Sequence, residues 1–214
     1  MEKQPDLFNE PHSGAIRIWH TLFFIFTFAS IVMVILGSTL FDTRDNISLV
    51  QEQVQRGGGS VSTDQARDVA HEYNDKLWMM HKYFGFGLSF LLLFRMGIAL
   101  AGKREERVLI KLKKALQLRF ASPGEQRMQR HYLFAKYAYL IFYVLIGIMA
   151  LTGLVLAFED VEFFRSIRKP VKNIHSIGQW GVYAYIFLHL GGVILADLTH
   201  SKGIVSRMVH GRKD

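Results

Sequence analysis

Residues 173–196 read NIHSIGQWGVYAYIFLHLGGVILA, a run with no charged side chain. As an α-helix rising about 1.5 Å per residue, it covers roughly 36 Å, enough to cross a hydrocarbon core of about 30 Å. Two histidines, His175 and His189, stand inside it. Ionisable side chains in a membrane span are costly and are functional groups by default. His189 lies roughly 21 Å further along the helix than His175, and at about 100° per residue the two fall roughly 40° short of four full turns. Both therefore point to nearly the same side. One helix offers two imidazoles on one face, at two depths.

Three further blocks have the same character. Residues 18–41 and 137–158 carry no charge, and residues 77–102 are apolar except for His81, Lys82 and Arg95. The pattern predicts one all-α membrane domain over residues 1–214. It is a bundle of four transmembrane helices with spans at about 16–41, 77–102, 136–158 and 174–200. The first fifteen residues contain Glu2, Asp6, Glu10 and two prolines and lack a basic start. The first block is therefore expected to remain a spanning helix and not a cleaved signal.

The charges lie between the blocks and set an orientation. Residues 103–136 hold ten Lys and Arg against three acids, and residues 201–214 hold four against one. Residues 42–76 reverse the balance, with seven acids against four basic residues. The positive-inside rule places both termini and the middle connection in the cytoplasm. The short connection 159–172, slightly basic, leans the other way and is outweighed. The net charge of +8 is thus a topology signal and does not point to nucleic acid. Within the basic connection, RVLIKLKKALQLRF (107–120) fits either an interfacial helix or a solvated linker. The run GGGS (57–60) marks a flexible stretch outside.

The chain has no cysteine. Thiolate metal sites, disulfides and covalent haem attachment through C-x-x-C-H are excluded. Histidine remains as a ligand. His20 enters the first span from the cytoplasm and His81 enters the second from outside. With His175 near the outer face and His189 deeper, two pairs emerge: His20 with His189 inside, His81 with His175 outside. That arrangement suits two bis-histidine haems stacked across the membrane. A single such histidine would read equally well as a helix-end residue bonded to a carbonyl. Four at matching depths shift the balance toward ligation.

Neighbouring residues fit that reading. Gly85, Gly87, Gly178, Gly181, Gly191 and Gly192 lie near the histidines, and Gly147 and Gly153 lie on the third span. They make room for a flat cofactor or let helices pack closely. Arg95 lies fourteen residues after His81, near the inner face, and Arg17 lies one turn before His20. Either suits a haem propionate, and Arg95 also a quinone site; the alternative is snorkelling to lipid phosphates. His12, His71 and His210 read as solvated. His131 and His200 suit a surface role or contact with a quinone head group. The stripe Tyr137, Tyr139, Phe142, Tyr143 reads as packing and interface belt.

With these residues in view the chain resembles a family, the cytochrome b subunits of membrane-bound nickel–iron hydrogenases, within the bacterial two-haem four-helix cytochromes b. The resemblance rests on IRIWH (16–20), on His81 followed by Gly85 and Arg95, on TGLVLAF (152–158), on HSIG (175–178) followed by His189, and on IVSRMVHG (204–211). Members often carry a further histidine where Ile174 stands here. The resemblance implies His20, His81, His175 and His189 as ligands of two haems b in a bacterial inner-membrane protein. It also implies a periplasmic electron-donating partner, hydrogenase-like or an iron–sulfur protein, with quinone exchanging electrons at the inner haem.

Three functions follow. The first is an electron-transfer subunit carrying electrons between a periplasmic oxidoreductase and the quinone pool. The second is a stand-alone superoxide or small-molecule:quinone oxidoreductase, which would need no partner. The third is a bare membrane anchor or small channel, which would show no haem absorption.

Overall fold

Ser13 opens the first helix. Its hydroxyl oxygen accepts a hydrogen bond from the Ile16 amide at 3.4 Å, occupying one of the amides that a helix start leaves unpaired. The computed structural model describes residues 13–101, 110, 113, 123–199 and 203–211. Among those residues all regular structure is helical: α1 (Gly14–Ser38), α2 (Thr43–Arg56), α3 (Thr63–Ala101), α4 (Pro123–Ala157), α5 (Glu162–Thr199) and α6 (Ile204–Val209). The basic segment 107–120 lies outside the described residues, apart from residues 110 and 113. So do His12, His200 and the side chain of His131.

Four helices are long and apolar enough to cross a membrane: α1, α3, α5 and the part of α4 at Tyr132–Ala157. Their outward surfaces are apolar, with Phe28, Phe90, Phe187 and Leu188 all exposed. Apolar exposure on that scale belongs against lipid. The buried set is small and includes two hydroxyls, Ser30 and Ser89.

The connection 42–76, expected to hold a flexible stretch at GGGS, has regular structure of its own. It is largely helical. Asp42 caps α2, accepting from the Arg44 amide at 2.9 Å. The break between α2 and α3 runs over residues 57–62, where Gly58 takes a positive φ of 82°. Ser62 and Gln65 then form a capping box. The Gln65 amide donates to Ser62 Oγ at 3.2 Å, and the Ser62 amide donates to Gln65 Oε1 at 2.9 Å. Pairs one turn apart support both helices: Arg56–Glu52, Arg67–Asp64, His71–Asp75 and Lys76–Glu72. Asn74 anchors this excursion, donating to the carbonyls of Gly37 and Phe41 at 2.7 Å each.

The turn between α4 and α5 is shorter than the connection 159–172 read from the sequence. Residues 158–161 make the whole turn, and α5 begins at Glu162, where an acid complements the helix start. Pro170 lies inside α5. Lacking an N–H, it cannot donate to the carbonyl four residues back. Pro123 opens α4, a position where the missing N–H costs nothing.

The described residues fall into two compact units. The first two turns of α1, the end of α3 from Ser89, and α4 to α6 form one; the rest of α1, α2 and α3 up to Leu88 form the other. In the first, α4 and α5 run antiparallel with glycines at their contact. A Cβ on Gly178 would come 2.6 Å from Met149 Sδ, and one on Gly181 would come 3.1 Å from Leu145 Cδ1. In the second, α1 and α3 pack likewise. Gly87 lies against the Phe26 ring, and Gly37 against Asn74 and Trp78. The short α6 starts where Asp197 Oδ1 accepts from the Ile204 amide at 2.8 Å. It leads to Gly211, at a φ of 74°, which abuts the Arg17 guanidinium.

Candidate cofactor site

His20 enters on the second turn of α1, and Trp19 beside it donates from Nε1 to the Leu91 carbonyl of α3 at 2.8 Å. His189 projects from α5, where its ring stacks on Tyr185 one turn back, at 6.0 Å between centres and 7° between planes. The two imidazoles come together. Their ring centres are 6.3 Å apart and their planes are inclined at 54°. Imidazoles on opposite faces of one metal, at metal–nitrogen distances of about 2 Å and with roughly 1 Å more to each ring centre, have centres about 6 Å apart. The pair fits a bis-histidine iron.

The other two histidines are held differently. His81 on α3 brings Nδ1 to 3.0 Å from Ser30 Oγ and 3.3 Å from the Ser30 carbonyl. Trp78 meets the His81 ring edge to face at 5.7 Å. His175 on α5 brings Nδ1 to 2.8 Å from Thr152 Oγ1 of α4, and its Cε1 lies 3.4 Å from where a Cβ on Gly153 would stand. Ser30 and Thr152 were not singled out in the sequence. Their one signal is a hydroxyl inside an apolar span, and most such hydroxyls merely bond back to their own helix.

The two arginines are half-buried. Arg95 lies within electrostatic reach of the Tyr139 and Tyr143 phenols. Arg17 has its Nε buried with no hydrogen-bond partner among the described residues. The glycines divide. Gly87, Gly178 and Gly181 serve helix contact, whereas a Cβ on Gly85, Gly147, Gly191 or Gly192 would meet no described atom within 4 Å. No group of three or more His, Asp or Glu gathers for a metal ion among the described residues. A haem iron needs only two protein ligands, because the macrocycle supplies the others.

Four apolar spans, three of which carry histidines, with His20 and His189 brought together, fit a membrane-embedded b-type cytochrome. A family model described as prokaryotic cytochrome b561 matches residues 11–211, and the chain belongs to that family. Family membership makes it a multi-pass membrane protein of electron transfer that binds haem b. No curated protein and no solved structure gives a significant match.

Proposed function

We propose that this chain binds two haems b and carries electrons across a bacterial inner membrane, between a periplasmic redox subunit and the quinone pool. The observation that carries the proposal is the facing pair His20 and His189, with ring centres 6.3 Å apart. These two hold the inner haem. His81 and His175, placed at the outer level by helix rise, hold the outer one. Bound haem supplies a one-electron carrier, and the protein supplies ligation, spacing and electrostatics.

The charges fit this direction of traffic. Arg17 and Arg95 sit near the level of the inner histidines, where a guanidinium attracts a haem propionate or a quinone oxygen. The basic connection and tail face the cytoplasm by the positive-inside rule. The acidic helical excursion 42–76 faces the periplasm, where a donor docks. A hydrogenase-like or iron–sulfur subunit is the donor that the sequence motifs favour.

The test is a pyridine haemochrome assay on the purified chain, with protein quantified in parallel. Two haems b per chain is the expected result. One would dissolve one of the pairs, and none would sink the cytochrome reading.

A further inference from the structure

Ser30 and Thr152 occupy equivalent places. Each stands on the first helix of an antiparallel pair, opposite the histidine of the second, with an oxygen at the ring's Nδ1. Proton accounting decides what each contact does. The Thr152 hydroxyl has one proton, and it is given to the Ile148 carbonyl at 2.6 Å. Its oxygen can then only accept, so His175 Nδ1 carries the hydrogen. For His81 the Ser30 carbonyl gives the same answer. A carbonyl only accepts, and at 3.3 Å from Nδ1 it requires a hydrogen there. In both rings Nδ1–H is tied to the partner helix, and in the neutral imidazole Nε2 then carries the lone pair.

We infer that Ser30 and Thr152 are positioning residues for the outer haem. They fix the tautomer and the ring orientation of His81 and His175, and as acceptors they raise the basicity of Nε2. The inference rests on the reading of these two histidines as the outer ligands. It also gives α4, which bears no ligand, a part in ligation. An acceptor on the distal nitrogen of a metal-bound histidine strengthens it as a donor. A stronger donor favours the ferric state and lowers the reduction potential. Removing the acceptor raises it.

The experiment is an optical redox titration of the purified full chain in detergent, comparing wild type with Thr152→Val, Thr152→Ser and Ser30→Ala. A His175→Ala chain, keeping only the inner haem, identifies which component is which. Thr152→Val preserves shape and removes the hydroxyl. It is expected to shift the outer haem's one-electron equilibrium about threefold toward the reduced form, roughly 28 mV at ~59 mV per tenfold. The inner component stays in place. Thr152→Ser is expected to restore the wild-type potential. Ser30→Ala shifts in the same direction but less, because the residue 30 carbonyl remains. If Thr152→Val strips the outer haem and Thr152→Ser keeps it at the native potential, the inference also stands. It is overturned if Thr152→Val moves neither potential, or if Thr152→Ser moves the outer one as far as Thr152→Val. It is also overturned if both variants lose the outer haem, since bulk and not the hydroxyl would then be at work. An unmoved Ser30→Ala removes Ser30 from the scheme. A wild-type chain without haem would instead overturn the cytochrome reading itself.

Discussion

The helix pairs α1/α3 and α4/α5 solve one problem by different means. Each must hold a polar ring at a set depth among apolar side chains. In α4/α5 the turn is only residues 158–161, and the register is set by close approach at Gly178 and Gly181. In α1/α3 the connection makes a long polar excursion through α2. There the register is set by Gly87 against Phe26 and by the Asn74 amide on the end of α1. Both arrive at a hydroxyl bonded to a histidine Nδ1. Register comes from packing, and ring orientation comes from one hydrogen bond.

The strongest way to break this comparison is to remove a ligand. His81→Ala and His175→Ala should each take the outer haem and leave the inner, halving the haemochrome yield per chain; His20→Ala and His189→Ala should do the converse. If one such change empties both sites while the helical content holds, the pairing is wrong. Next comes Arg95→Leu, which should slow quinol-dependent haem reduction several-fold, or move the inner potential, with little change in thermal stability. An intact turnover and titration would take Arg95 out of the site.

Gly87→Ala tests packing alone. Its Cβ would overlap the Phe26 ring, and overpacking of this kind costs about 1–3 kcal/mol. The apparent melting temperature in detergent should fall, while Gly191→Ala, where a Cβ meets nothing described, should leave it in place. Equal melting temperatures would mean that the α1/α3 contact yields freely. Asn74→Ala removes two donated bonds, each with a net contribution of about 0.5–1.5 kcal/mol. Faster proteolysis within residues 42–62 is the expected readout, and an unchanged cleavage rate would show that the excursion is held by other contacts. Smallest is Glu52→Gln. Its pair with Arg56 is exposed, and such pairs contribute about 0–1 kcal/mol. No resolvable shift in melting is expected, and a clear one would mean that α2 depends on surface charge.

Much of this was legible in the sequence because lipid imposes simple rules. Apolar runs of spanning length marked four helices, and a fixed rise per residue put His20 and His189 at one expected level. The excursion 42–76 was not legible by the same rule. Its helices are held by a capping box and by charges one turn apart, and a search for apolar blocks passes over both. Ser30 and Thr152 were hidden for another reason. Thr21, Ser38, Thr39 and Thr199 also bear hydroxyls, and these bond to their own helix. Only the opposing histidine separates Ser30 and Thr152 from them, and that opposition is a tertiary fact. Gly87 and Gly191 likewise read alike in the sequence, although one meets a ring and the other meets nothing described.

The length of α3 has a mechanical side. At 39 residues it is about 58 Å long, nearly twice the roughly 30 Å hydrocarbon thickness. Its first turns stand clear of the lipid and continue without a break into the segment that carries His81. In the proposed function, a donor that gripped the exposed end would hold the same stiff rod as the imidazole, and docking and ligation would share one lever.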